Sequence, residues 1–403
     1  MRLLLLNQYY PPDAAPTGRV LHDLARTLVA RGHQVHVVCS RRSYAGGETY
    51  PARELRDGVQ VHRVPAQGFG RGGAAARLAD YASFTALLFA TVLVRIPRPD
   101  LILALTTPPY VGLAAAAVAR LRGCAHAHWI MDLYPDVMAA HGMIRPDGLA
   151  WRFLGAATRR QLRHARLVLA LGPFMARRLE PYLEPGRSAV WVPLWGDGPP
   201  APWPVGEPNR LRQERGWGPD ELVLMYSGNM GFGHRFGEFL AAAARLGPAG
   251  PRWAFVGGGP RRAEIDGFAR AHPEARVSLL PYVPPQDLRA SLCAADVHLA
   301  SLSGAWQGLI VPSKIQASFS VGKPVLFVGP SDNEVAGWIE ESGGGWVVGE
   351  DDIDGLLGAT DQARDASERA RRGASALEFA RAHFDPDRNC ESLARRIEAA
   401  LGA

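Results

Sequence analysis

The feature that most constrains this chain is an alternation that runs almost its whole length and breaks once. Short apolar runs suited to strands (RLLLLN, QVHVVCS, LILAL, HAHWIM, LVLALG and AVWVP) are separated by stretches with apolar residues at helical spacing. RVLHDLARTLVARG, ending at Gly32, is one of these. Strands separated by helices read as parallel neighbours, because a parallel partner is reached by a crossover. A Pro- and Gly-rich break, PLWGDGPPAPWPVGEPN at 193–209, interrupts the pattern. The alternation then restarts with LVLMYSG, the helix HRFGEFLAAAARL, and the strands WAFVGGG, RVSLL, DVHLA, PVLFVG and GWVV. The expected fold class is α/β: two doubly wound, Rossmann-like domains facing across a cleft. The first domain is expected at 1–195, a linker at 196–209, and the second domain at 210–387. A last helix over 388–403 is expected to cross back to the first domain. In such sheets ligands bind beyond the C-terminal ends of the strands, so function is sought in the turns that follow them.

Composition excludes several classes. Cys39, Cys124, Cys293 and Cys390 are far apart, with no CxxC spacing, so neither a zinc site nor a disulfide framework is indicated. A reducing cytoplasm is the expected compartment. The opening MRLLLLNQYY holds too short an apolar run for a signal peptide. No stretch reaches the roughly 18 apolar residues of a membrane helix. The longest, ASFTALLFATVLV at 82–94, lies between Arg71 and Arg77 on one side and Arg95 and Arg98 on the other. It reads either as a core helix or as a partly exposed helix dipping into a membrane surface. Residues 1–195 carry 24 Arg against 12 Asp and Glu, which makes this half a candidate surface for an anionic partner. No basic run is interleaved with aromatics, so nucleic acid is not expected.

Two turns carry the candidate chemistry. In MYSGNMGFGHRFGEFL, Gly228, Gly231 and Gly233 would let backbone approach a ligand, and the following helix start could hold a phosphate. In VPSKIQASFSVGKPV, Lys314 and Lys323 are the chain's two lysines; every other cation is arginine. Ser313 would cap a helix there, putting Lys314 in its first turn. A cation is disfavoured at that end by roughly 0.3–1 kcal/mol. A nearby anion offsets this, since a charge pair at about 4 Å gives on the order of 4 kcal/mol at an effective dielectric of about 20. Lys314 is therefore read as pointing at a phosphate, and Lys323, past the helix end, as structural. MDLYPD follows the strand HAHWIM, so Asp132 and Asp136 fall at its C-terminal end. Asp132 is a candidate general base toward an acceptor hydroxyl, or a turn residue. His126 and His128 read as core histidines. Glu334, after GPSDN, would accept from a ribose or simply favour a helix start.

These stretches carry a resemblance. NQYYPPDAAPTGR, LARTLVARGHQVHVV, MDLYPD, YSGNMG with His234, FVGGGP, ADVHLASL, GLIVPSK and the G-K-P-V turn occur in this order over nearly the full length. Together they resemble the family-4 glycosyltransferases of the GT-B fold, most closely the branch that builds colanic acid, O-antigen and similar surface polysaccharides. The resemblance implies mostly retaining transfer from nucleotide donors such as UDP-sugars, without metal or other cofactor. It places the donor against the second domain and the acceptor against the first. It puts Gly18 beside the donor phosphates, where bulk would block the ligand. The chain departs from the family's pattern at several positions. The Glu-x7-Glu pair aligns with Leu309 and Ala317. The Arg and Lys of the Gly-rich turn align with Asn229 and His234. The His before the first-domain Asp is Met131. Lys314 is the replacement cation.

The expected function is thus a nucleotide-sugar-dependent glycosyltransferase, peripheral at the inner face of the cytoplasmic membrane. Its acceptor would be a polyprenyl-diphosphate-linked or other saccharide. Asp132 and Lys314 are its candidate catalytic residues, and Gly18, Asn229, His234, Arg235, Ser313, Lys314 and Glu334 the candidate donor-binding set. Two alternatives stay open: a sugar-nucleotide epimerase of the same architecture, and a weakened donor-binding partner of a membrane glycosyltransferase complex.

Overall fold

The computed structural model describes residues 1–403 other than 14, 44–47, 66–73, 205 and 403; the side chains of 74, 75, 77 and 78 are also outside the description. The chain forms two compact units. One is Met1–Pro193 together with Asp387–Ala403; the other is Leu194–Pro386. Each is a parallel sheet flanked by helices.

Among the described residues, the first sheet has eight strands: β1 (Arg2–Leu6), β2 (Gln34–Ser40), β3 (Arg53–Arg56), β4 (Val59–Val64), β5 (Leu101–Ala104), β6 (Ala125–Trp129), β7 (Leu167–Ala170) and β8 (Val190–Trp191). Their order is β3-β4-β2-β1-β5-β6-β7-β8. All neighbours pair in parallel except β3 and β4. β1 is central, with Leu4 between His36 and Ile102, which is why it is an unbroken run of leucines. The β3–β4 hairpin was not anticipated. It turns on Asp57 and Gly58, at φ 50° and 80°, the two left-handed positions that a tight hairpin needs.

Helix Ala74–Arg95 settles the two readings of 82–94. Phe84, Leu88 and Val92, one face of the helix, are fully buried in a core with Leu4, Leu6, Ile102 and Val118. The described residues it leaves exposed are Ala79, Ala82, Ala86, Ala90, Val94 and Arg95. The expectation that this segment dips into a membrane is therefore corrected, because its large apolar side chains already fill the core. Arg71 and the Arg77 side chain lie outside the described residues, and Arg98 donates to the Arg122 carbonyl at 2.8 Å. Among the described residues no helix is long and apolar enough to cross a membrane.

Helix Pro386–Leu401 packs within the first unit. Leu393 and Ile397 are buried. Arg31 forks onto Glu398 at 2.8 and 2.6 Å, and the same carboxylate meets His33 Nε2 at 2.8 Å. Asn389 donates to the Pro193 carbonyl at 3.1 Å.

The second unit's sheet, among the described residues, has six strands: β9 (Val223–Ser227), β10 (Arg252–Val256), β11 (Val277–Leu280), β12 (Val297–Ser301), β13 (Val325–Val328) and β14 (Gly345–Val348). The order is β11-β10-β9-β12-β13-β14, parallel throughout. Leu224, Tyr226, Phe255, Leu299 and Leu326 bind the sheet to its helices in one buried core. The neighbouring strands β9 and β10 deliver the turns described next.

Candidate active site

In the second unit the site begins with two glycine turns, after β9 and after β10. Gly228, Gly257 and Gly259 have φ of 130°, 130° and 135°, a region that side-chain-bearing residues rarely adopt. The turns touch. A Cβ on Gly257 would lie 2.2 Å from the Gly228 carbonyl oxygen, and one on Gly259 2.5 Å from Asn229 Oδ1. Backbone bonds tie them together, from Gly228 N to Val256 O at 2.9 Å and from Met230 N to Gly258 O at 2.7 Å. Gly233 serves packing: a Cβ there would lie 2.9 Å from the Trp306 ring. The helix after this turn starts at Gly237, so the expected helix HRFGEFLAAAARL is corrected at its start. His234 and Arg235 lie on the loop before it.

Lys314 is the first residue of helix Lys314–Ser320. Its stem lies against Gly228, where a Cβ would come 3.3 Å from Lys314 Cε. The ammonium sits 4.6 Å from the centre of the Tyr226 ring and 3.2 Å from His234 Nε2. Burial alone pushes its pKa down to about 7. His234 is buried, and its Nδ1 bonds the Ser301 carbonyl at 2.7 Å. That bond requires a proton on Nδ1, which leaves Nε2 to accept from Lys314. Burial, and then the Lys314 charge, push the His234 pKa down to about 3. His234 is therefore neutral and positions Lys314 rather than offering a charge of its own. The cation has an aromatic face and a neutral imidazole as partners, with no carboxylate among them.

The structure gives other members of the expected donor set different work. Arg235 reaches Glu238 at 2.5 Å and Glu350 at 3.4 Å, and also pairs with Asp351. Three carboxylates occupy its guanidinium, so its reading as a phosphate ligand is corrected. Ser313 is exposed and helical in backbone (φ −67°, ψ −1°) and makes no cap with its side chain. An N-cap residue needs an extended backbone to aim its oxygen at the helix amides, and Ser313 lacks it. Asn229 is exposed at the turn, and its carbonyl accepts from the Tyr226 hydroxyl at 2.7 Å. Glu334 is buried at the start of helix Glu334–Ser342, which Asn333 caps. Leu309 is buried, and Ala317 packs with Leu292, Cys293 and Val321. Lys323 is lowered by burial, against the pull of Asp296, in the turn where its amide bonds Ser318.

In the first unit, Asp132 follows β6 and lines a cavity of about 10 Å³ with Thr106, Tyr110 and Tyr134, room for roughly one water molecule. The Thr106 hydroxyl accepts from the Asp132 amide at 3.3 Å. The carboxyl is pushed up to about 6 by burial alone, with no neighbouring cation holding it ionised. Asp136 accepts from the Tyr182 hydroxyl at 2.5 Å, a structural bond. His126 and His128 are buried, and burial pushes His128 down to about 3. Gly18 is where helix Pro16–Ala30 presses on its own loop. A Cβ there would lie 3.0 Å from the Tyr9 carbonyl oxygen and 3.2 Å from Tyr10 Cα, so backbone packing already requires the glycine.

Sequence reasoning missed Tyr226 and Tyr282. Tyr226 looks like any core residue of a strand. Tyr282 is 59% exposed and lies over the second glycine turn: its hydroxyl donates to Gly258 O at 3.2 Å, and a Cβ on Gly258 would come 3.1 Å from its ring. Its signal was an aromatic residue just past the strand RVSLL, after Pro281. Among the described residues no cluster of three or more His, Cys, Asp or Glu could hold a metal ion.

Comparison with known proteins adds relatives. Residues 17–195 match the glycosyl transferase 4-like domain. The chain is 26% identical over 270 residues to a probable glycosyltransferase, WbjE, of Pseudomonas aeruginosa, covering 65% of this chain and 66% of that protein. It is 22% identical over 332 residues to WcaI of Escherichia coli K12, a putative colanic acid biosynthesis glycosyl transferase, covering 80% and 82%. Among solved structures, sucrose-phosphate synthase of Thermosynechococcus elongatus superposes with a TM-score of 0.78 at 15% identity, over 100% of this chain and 99% of that one. Anabaena HepE, solved with UDP-glucose, superposes at 0.71 with 16% identity, over 99% and 100%.

Proposed function

We propose that the chain is a family-4 glycosyltransferase of the GT-B fold that moves a sugar from a UDP-sugar, with retention, to a polyprenyl-diphosphate-linked saccharide in surface polysaccharide biosynthesis. The observation that carries the donor half is Lys314. An ammonium whose basicity burial lowers, and whose partners are neutral, is a site prepared for an anion. It borders the glycine turn at the C-terminal end of β9, where doubly wound sheets bind ligands. HepE's complex with UDP-glucose favours uridine, and the likeness to WcaI, a putative colanic acid biosynthesis glycosyl transferase, favours a role in polysaccharide synthesis.

In the proposed reaction the bond between the sugar's anomeric carbon and the diphosphate oxygen breaks, and the acceptor oxygen bonds to that carbon on the same face. Charge builds on the departing diphosphate. Lys314, steered by neutral His234, meets that charge where it develops. The acceptor hydroxyl's proton passes to the leaving phosphate oxygen or to Asp132, which is ionised above pH of about 6. The work is assigned to the cytoplasmic face of the membrane and needs no metal.

A thermal-shift screen of nucleotide sugars, followed by transfer assays with membrane lipid extracts, tests the reading. We expect UDP and one UDP-sugar to raise the melting temperature, and UDP release to require lipid extract. Conversion of the UDP-sugar without any acceptor would instead identify an epimerase. Donor binding without transfer would identify a binding partner.

A further inference from the structure

Helix Leu149–Leu162 presents a face to solvent that the interior of the first unit does not use. Gly155, Thr158, Gln161 and Leu162 form its buried side. Leu149 and Phe153, four residues apart and so on one face, are 86% and 75% exposed; Met143, on the turn leading in, is 60% exposed. They are three of the nine large apolar side chains standing exposed among the described residues, and they fall within one short stretch of chain. Arg145, Arg152, Arg159, Arg160 and Arg163 are exposed around them. None of the five pairs with a carboxylate among the described residues, and Asp147 is the one acid in 143–163.

Apolar side chains at one end of a helix and unpaired cations of one sign along the same face suit a surface that is both negative and apolar beneath. We propose that residues 143–163 dock the protein onto an anionic lipid bilayer. Met143, Leu149 and Phe153 enter the headgroup region, and the five arginines meet lipid phosphates while their aliphatic stems lie along the apolar layer. The inference rests on the reading that the acceptor is carried on a membrane lipid. It takes the lipid-facing role from the 82–94 segment, whose large side chains are in the core.

The test is flotation of the full chain with vesicles of phosphatidylcholine, alone or mixed with phosphatidylglycerol, with UDP binding measured on the same samples. The parent should float with the anionic vesicles only, and leave them in 1 M salt, where the Debye length shrinks to about 3 Å. Leu149→Ser with Phe153→Ser should weaken vesicle binding by about ten- to a hundredfold. Arg152→Glu with Arg160→Glu should abolish it. Ala86→Ser with Val94→Ser should change nothing. All six side chains are solvent-facing, and unchanged UDP binding certifies the fold. The surface is refuted if the Leu149/Phe153 variant floats like the parent, if the parent ignores anionic vesicles, or if the patch holds two copies of the chain together. Each of those results with UDP binding intact leaves the transferase reading standing. Vesicle binding without any nucleotide binding sinks the transferase reading and keeps the surface.

Discussion

The proposed donor chemistry of the second unit rests on one charge, that of Lys314. Lys314→Ala should weaken UDP binding by about ten- to a hundredfold, the roughly 1.5–3 kcal/mol of a charge-assisted contact. Lys323→Ala should leave it unchanged, because that ammonium lies in a structural turn and feels Asp296. Titration calorimetry on both variants separates lost charge from lost contact. Arg at 314 should rescue only in part, since a planar fork does not fit a pocket shaped around an ammonium between Tyr226 and His234. The same residue sets the pH dependence. With its pKa at about 7, Lys314 is largely neutral at pH 8.5, and a diphosphate binds the protonated form. Affinity should fall as pH rises through about 7, and binding above that pH should take up a proton. Heats measured in buffers of different ionisation enthalpy read this directly; no uptake, or uptake that persists in Lys314→Ala, overturns the assignment. Asp132 bounds the pH range from the other side, because it must be deprotonated to act as a base. A carboxyl raised to about 6 is a competent base only above that pH. Turnover should fall below pH of about 6, and Asp132→Asn should lower it about 10²- to 10⁴-fold with UDP affinity intact. An unchanged rate at saturating acceptor would remove Asp132 from the mechanism.

At the scale of elements, the paired glycine turns are the frame on which the proposed donor site hangs. Gly257→Ala forces a side chain into φ 130° and drives its Cβ to 2.2 Å from the Gly228 carbonyl oxygen. We expect a loss of about 1–3 kcal/mol in urea denaturation, and weaker UDP binding, because Gly228 carries Lys314 against it. A parent-like denaturation midpoint would mean the turns relax without cost. The strands around these turns were legible in the sequence because fully buried parallel strands are uniform apolar runs bounded by turn residues. LVLMYSG, WAFVGGG and DVHLA could hardly be read otherwise. The β3–β4 hairpin carried its own signal in RELRDGVQVHRV, an Asp-Gly pair between alternating runs, which the dominant helix-strand rhythm masked. The site was legible only in part. Two lysines among arginines are visible in a sequence. The tautomer that makes His234 an acceptor is set by a carbonyl 67 residues away, and the capture of Arg235 depends on carboxylates at 350 and 351. Contacts of that range leave no local pattern. Ser313 failed for a local reason: it has the residue type of a cap without the backbone conformation of one.

On the scale of the whole molecule, chain order and folding unit part company. The last helix, Pro386–Leu401, follows the second unit in sequence, yet Asp387–Ala403 belongs to the first. The first unit is therefore incomplete until the final residues of the chain arrive, whereas the second is continuous from Leu194 to Pro386. That asymmetry predicts where damage to the terminus is felt. Leu393 is fully buried, and truncating a buried leucine to alanine costs about 2–5 kcal/mol. Leu393→Ala should accordingly weaken the first unit: amides of β1, β2 and β5 should exchange faster with deuterated solvent. Amides of β9, β10 and β12, and the affinity for UDP, should stay at parent values. The remote pairing of Glu398 with Arg31 and His33 points the same way, since it ties the terminus to the segment between the first helix and β2. Faster exchange in β9 or β12 would show that the terminal helix supports the second unit instead. Protection unchanged throughout would show that the helix caps the first unit without stabilising it.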